Sequence, residues 1–189
     1  MKESTRKTWR ILLRIFFPIA CIALLAFIFG NSLRTGEEST KQSSTIVAAV
    51  QTVAGVIAPG SAIATATGEA YERLHGCVRV IAHFIEFAAL GALMVWCCFA
   101  YTRKKRYLFI PFALIFLVPI IDETIQLFTK GRGAELFDVL VGTAGGVCGG
   151  LAAVGIACLI FFLLRAKTKK DETGLVKPKD YPSYGMYNE

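Results

Sequence analysis

Eight side chains in this sequence have the types and spacing to do chemistry. Arg79, His83 and Glu86 fall at i, i+4 and i+7, which places them on one face of a helix. Asp122, Glu123 and Gln126 sit together at the head of DETIQLFTKGRGAELFD, where Arg132 follows in a Gly-Arg-Gly turn and Asp138 closes the stretch. Guanidiniums hold phosphate or carboxylate bidentately, so Arg79 and Arg132, with Lys130 beside them, suit an anion, while Glu86 and Asp122 can accept from amides or hydroxyls. His83, with Glu86 three residues on and Asp122 and Glu123 opposite, could instead work as a general acid/base set. A third chemistry is a divalent metal at Glu86, Asp122 and Glu123; one His plus acids suits Mg²⁺ or Mn²⁺ better than Zn²⁺. No nucleophile accompanies the group, and no Walker loop, nucleophile elbow, dinucleotide fingerprint or Cys-x-x-Cys occurs, so soluble cofactor chemistry has no support.

These residues lie in a chain built for lipid. It is 54% hydrophobic, with a mean hydropathy of +0.54, above the roughly 45–50% apolar share of soluble domains. The apolar residues gather in four blocks, at 11–29, 78–101, 107–128 and 139–164, each close to the roughly 20 helical residues that cross a hydrocarbon core of about 30 Å. Prolines at 18, 111 and 119 are tolerated in such helices because neighbours re-satisfy the freed carbonyls. The first block exceeds the h-region of a signal peptide and no small-x-small cleavage site follows it, so it reads as a retained helix. The expected architecture is all-α: an integral membrane bundle of four transmembrane helices.

Basic residues set the expected orientation. With the N-terminus inside, fifteen of the 21 Lys and Arg flank the cytoplasmic ends of the spans, and both termini are cytoplasmic. The net charge of +7 is therefore a topology signal and a contact to anionic lipid rather than a nucleic-acid footprint. In this frame the second span begins outside and the third ends there. His83 lies about 7–8 Å below the outer helix end and Glu86 about 12 Å; Gln126 lies about 7–8 Å deep and Asp122 and Glu123 about 12–14 Å. The two sets meet at one depth. An ionised side chain mid-membrane costs roughly 2.5–3.5 kcal/mol, so the carboxylates are expected to face one another, the arginines or a wet cavity opening outward.

Between the first two spans, Ile46, Val50, Val53 and Ile57 recur at helical spacing before Pro59-Gly60, which predicts an extracytoplasmic amphipathic helix in the interface, roofing the cavity. His75 is expected in the outer loop just before the second span, solvated or interfacial. Asp138, Gly142, Gly145 and Gly149 share one face of the fourth span and read as a packing stripe. Five of the six cysteines lie within spans and Cys77 at the outer boundary, so no disulfide framework is expected. Residues 165–189 read as a polar, disordered cytoplasmic tail.

FIFGNS after the first span, RVIAHFIEFAALG in the second and DETIQLFTKGRGAELFDVLVGTAGG across the third and fourth resemble the VanZ-like family of bacterial membrane proteins. The family pattern is an Arg-x-x-x-His-x-x-Glu helix, an Asp-Glu-x-x-Gln-x-Phe end, a Gly-Arg turn, and an Asp followed by a short apolar run and a glycine. Arg79, His83, Glu86, Asp122, Glu123, Gln126, Arg132 and Asp138 occupy those positions, within a VanZ-like domain over residues 1–164. The family often has Asn where this chain has Gly142. The resemblance implies the cytoplasmic membrane of a Gram-positive bacterium and a role at its cell envelope, including lowered susceptibility to teicoplanin in the member that names the family.

Three readings of the cluster follow. The favoured one is a binding site for an anionic or amphiphilic envelope molecule, such as a lipid-linked wall precursor or a lipoglycopeptide tail, its acyl chain in a groove between the second and fourth helices. The second is a membrane-embedded enzyme acting on a lipid-linked or phosphate-bearing substrate, with His83, Glu86, Asp122 and Glu123 as acid/base candidates. The third is a structural polar cluster in which the arginines neutralise the carboxylates. No resident cofactor is expected, the metal at Glu86, Asp122 and Glu123 being a minor alternative.

Overall fold

The computed structural model describes residues 3–102 and 104–175. The described chain is helical, with no strand: α1 (Glu3–Ser32), α2 (Gly36–Ile57), α3 (Gly68–Tyr101), a 3₁₀ turn (Lys105–Leu108), α4 (Phe109–Leu127) and α5 (Leu136–Leu175). Four segments are long and apolar enough to cross a membrane: Lys7–Ser32, Gly68–Tyr101, Lys105–Leu127 and Leu136–Ala166. They contain the first, second and fourth expected blocks and all of the third but its last residue, Phe128. Pro18 and Pro119 lie inside α1 and α4; Pro111 falls in the first turn of α4, where its missing N–H has no intrahelical partner to lose.

Two compact units divide the chain, Met1–Val154 and Gly155–Glu189. In the first, Asn31 at the end of α1 reaches Glu86 of α3, whereas Arg14 near its start reaches Ala100, so α1 and α3 run antiparallel. Ile28, Phe87, Leu90, Met94, Ile115 and Val118 from α1, α3 and α4 form the buried core. The α3–α5 seam relies on glycine. A Cβ on Gly145 would strike the Phe84 carbonyl and one on Gly149 the Ala88 carbonyl, so these positions need hydrogen where a side chain would stand. The packing role expected for the glycine stripe is met there. In the second unit, helix continues to Leu175 and exposes Ile156, Leu159, Phe161 and Leu163. Helical backbone thus extends into the segment expected to be disordered, and residues 176–189 lie outside the described residues.

Two boundaries differ from expectation, for related reasons. Helix α3 is 34 residues long, about 51 Å at 1.5 Å per residue, so it outruns a hydrocarbon core of about 30 Å. Hydropathy marks only the lipid-crossing part of such a helix. His75 therefore lies within α3, buried under α2 rather than in a solvated loop, with Nε2 3.4 Å from the Thr40 carbonyl and the ring stacked on Tyr71. Helix α2 begins at Gly36, fixed by a capping box: the Thr35 side chain accepts from Glu38 N–H while the Glu38 carboxylate accepts from Thr35 N–H. Its inward residues are Ser43 and Val47, whereas Ile46, Val53 and Ile57 of the expected apolar face are exposed.

Candidate functional site

The polar residues gather at the end of the bundle where α1 stops, α3 has yet to become apolar and α4 turns into α5. Ser32, last residue of α1, donates to Asp122 Oδ1 at 2.5 Å, and Gln126, one turn on along α4, donates to Asp122 Oδ2 at 3.2 Å. Asn31 Nδ2 donates to Glu86 Oε1 at 3.4 Å. Arg132 donates to the Asn31 carbonyl at 3.1 Å, which pulls the α4–α5 turn onto the end of α1. Thr129 Oγ1 adds a bond to the Ser32 carbonyl at 3.0 Å. The turn itself needs glycine twice. Gly131 has φ of 74°, and its carbonyl lies where a Cβ on Gly36 would stand. Gly36 N–H meanwhile donates to the Lys130 carbonyl at 3.0 Å, so the start of α2 is tied to the turn.

These elements enclose a recess of about 390 Å³. Arg79, His83, Glu86, Asp122, Gln126, Arg132 and Asp138 all line it, seven of the eight side chains singled out by spacing. Helix α2 adds Ser39, Gln42, Ser43 and Ile46 at i, i+3, i+4 and i+7, so a face that is polar except for Ile46 covers one side. A smaller adjoining recess of about 170 Å³ shares Arg79, Gln126, Arg132 and Asp138. Asp122 and Gln126 are only 1% and 3% exposed, whereas Arg79 is exposed, so the acceptors lie deeper than that guanidinium. The His83 ring packs edge-on against Phe87, 4.7 Å between centroids. Its Nε2 would lie 3.3 Å from a Cβ on Gly142, so the missing side chain at 142 leaves the imidazole room.

Two expected members stand apart. Glu123 is buried, and its Oε1 accepts from Glu135 N–H at 2.5 Å, capping the approach to α5; its Oε2 has no hydrogen-bond partner among the described residues. It does not line the recess, because residues 128–135 fold back over it. Lys130 is exposed and likewise outside the lining. No three His, Cys, Asp or Glu side chains among the described residues come together as a metal-holding group. The spacing argument missed Asn31, Ser32, Ser39, Gln42, Ser43 and Glu135. The Gly-Asn-Ser end of the first span and the i, i+3, i+4 polar spacing of Ser39, Gln42 and Ser43 are the signals that find all but Glu135.

The charges are not paired off. Among the described residues the one ion pair within 4.0 Å joins Arg73 to Glu69, exposed and remote from the lining. Arg79 makes no hydrogen bond among the described residues, and Arg132 bonds to a backbone carbonyl. Burial, then the nearby Arg79 charge, pushes the Arg132 guanidinium below its ordinary value, against the opposing pull of Asp122, Glu123 and Asp138. Among the described residues no arginine at the recess lies within 4.0 Å of a carboxylate, although Asp122, Glu123 and Asp138 act on Arg132 at longer range.

Comparison with curated proteins and with solved structures finds no match to this chain. Comparison with protein families finds one, VanZ/LLP1, over residues 17–166, a stretch that contains every residue lining the recess. The chain belongs to the VanZ/LLP1 family, as a membrane protein with four span-capable helices.

Proposed function

We propose that this protein binds an anionic or amphiphilic cell-envelope molecule in the recess between α1, α2, α3 and the α4–α5 turn. The observation that carries the reading is the pair Arg79 and Arg132, lining a recess of about 390 Å³ without an ion pair to its carboxylates. Guanidiniums without an ion pair are strong ligands for phosphate or carboxylate, and of the two Arg132 is half-buried. Both termini are cytoplasmic in this reading. Arg14 and residues 104–106 lie at the opposite end of the bundle, the distribution favoured for cytoplasmic ends. The recess then faces the outside of a bacterial cytoplasmic membrane, with α2 as its extracytoplasmic roof. The family resemblance adds teicoplanin and related lipoglycopeptides to the candidate ligands.

A photo-reactive residue at Gln42, which lines the recess from α2, tests this. Capture of a lipid, wall precursor or lipoglycopeptide is expected; capture of neighbouring protein alone would overturn binding. In a susceptible Gram-positive host, expression is expected to lower teicoplanin susceptibility more than vancomycin susceptibility, and Glu86→Gln to abolish the difference. Equal susceptibility in every strain removes the antibiotic role and leaves the binding reading to the crosslink. The enzymatic reading has one supporting feature, His83 sharing the recess with Glu86 and Asp122. Release of phosphate or headgroup from a lipid phosphate substrate, lost in His83→Gln, is the outcome that would favour it.

A further inference from the structure

The recess is not uniformly cationic, and that narrows the occupant. A simple anion would gain from Arg79 and Arg132 but would meet Glu86, Asp122 and Asp138 in the same space. The Asp122 oxygens already accept from Ser32 and Gln126, yet each carboxylate oxygen can take a further donor, and Asp138 also lines the space. The arrangement suits a group that brings negative charge to the guanidiniums and hydrogen-bond donors to the acids. Two apolar side chains sit on the lining as well. Ile46 of α2 and Phe137 of α5 are 43% and 57% exposed, so they are lips of the opening and not part of a dry interior. Beside them the outer faces of α3 and α5 are apolar, with Ile81 and Leu140 exposed. A ligand with hydrocarbon attached to its polar end would leave the recess over these side chains without stranding the chain in water.

Resting on the binding reading above, we infer that the occupant is a membrane phospholipid whose headgroup joins a phosphate to a hydroxyl or amine donor, of the phosphoglycerol or phosphoethanolamine kind. The phosphate sits between Arg79 and Arg132, the donor turns toward Glu86 and Asp122, and the acyl chains pass Ile46 and Phe137 into the bilayer.

The full chain in nanodiscs of mixed phosphatidylglycerol, phosphatidylethanolamine and phosphatidylcholine tests this by the lipids retained after delipidation. Enrichment of the donor-bearing lipids over phosphatidylcholine by about tenfold is expected, phosphatidylcholine having the phosphate but no donor. Arg79→Gln should reduce that enrichment by about tenfold, whereas Lys130→Gln, outside the lining, should leave it intact. Arg79 has no hydrogen bond to lose among the described residues, so its variant should fold; an unchanged unfolding temperature checks that. Equal retention of phosphatidylcholine overturns the inference. Displacement by free glycerol 1-phosphate as readily as by lipid overturns it in favour of a soluble phosphate. If no phospholipid is enriched while the Gln42 probe still captures an envelope molecule, this inference falls and the binding reading stands. If neither occurs, both fall.

Discussion

At the end of the bundle where α1 begins and α3 stops, Arg14 Nε donates to the Ala100 carbonyl at 3.0 Å and the Tyr101 hydroxyl donates to the Arg14 carbonyl at 2.7 Å. The guanidinium also lies over the Tyr101 ring, 5.7 Å from its centroid. At the other end, Arg79 has no bond among the described residues and Glu123 Oε2 is buried without one. Both ends bring charge to lipid-crossing helices. At the first, Arg14 settles its charge locally, on backbone and an aromatic face. The other spends several side chains on a network that stops short of its own arginine. Polar groups kept only to hold helices together would resemble the first arrangement, since interhelical polar contacts in membranes average about 0.6 kcal/mol and gain nothing from being left incomplete.

The seam that aligns both ends is the place to break the comparison outright. Gly149→Val drives a branched side chain into the Ala88 backbone, which cannot give way as a flexible side chain would. A loss of more than about 3 kcal/mol is expected, read as failure to recover monodisperse protein in detergent. Recovery of normally folded protein would mean α3 and α5 do not approach through these glycines.

Next in size is Asp122→Ala. It removes the acceptor shared by Ser32 and Gln126, both 3% exposed, leaving the buried Gln126 amide without its partner while the Ser32 hydroxyl keeps only its longer bond to the Ile28 carbonyl. A cost of about 1–3 kcal/mol is expected in thermal or denaturant unfolding, with Asp122→Asn costing less because an amide keeps one acceptor. A cost below about 0.5 kcal/mol for Asp122→Ala would show that the carboxylate does not organise the α1–α4 contact.

How much of this was legible beforehand depended on whether a residue's direction was set by its own helix. Arg79, His83 and Glu86 share a face at helical spacing, and Asp122 and Gln126 share another, so their convergence followed from period and depth alone. Glu123 lies one residue from Asp122, but its direction is decided by the 128–135 turn folding back to offer the Glu135 N–H, a tertiary event no period encodes. The amphipathic pattern of α2 was legible from its period, and Val53 and Ile57 are exposed while Ser43 packs inward, but its start at Gly36 was not, because its first turns carry no apolar repeat. The position of His75 was lost because hydropathy ends where lipid ends, whereas the hydrogen bonds of α3 run on to Gly68.

At the satisfied end, Tyr101→Phe should cost about 1 kcal/mol, the usual worth of one hydrogen bond, and leave ligand capture at Gln42 unchanged. Loss of capture in this variant would couple the two ends and defeat the contrast drawn between them.

The smallest stability effect belongs to the most informative residue. Arg79 is exposed, forms no ion pair and makes no hydrogen bond among the described residues, so Arg79→Gln should change unfolding free energy by less than about 0.5 kcal/mol. It could even stabilise slightly, because it relieves the repulsion that burdens Arg132. Yet the same substitution removes one of two cations facing the recess and should weaken retention of a phosphate-bearing ligand about tenfold. A scaffold residue cannot behave this way, since whatever it contributes must appear in folding. If Arg79→Gln destabilises the protein by more than about 2 kcal/mol, the guanidinium has a protein partner and the recess has no free cation to offer.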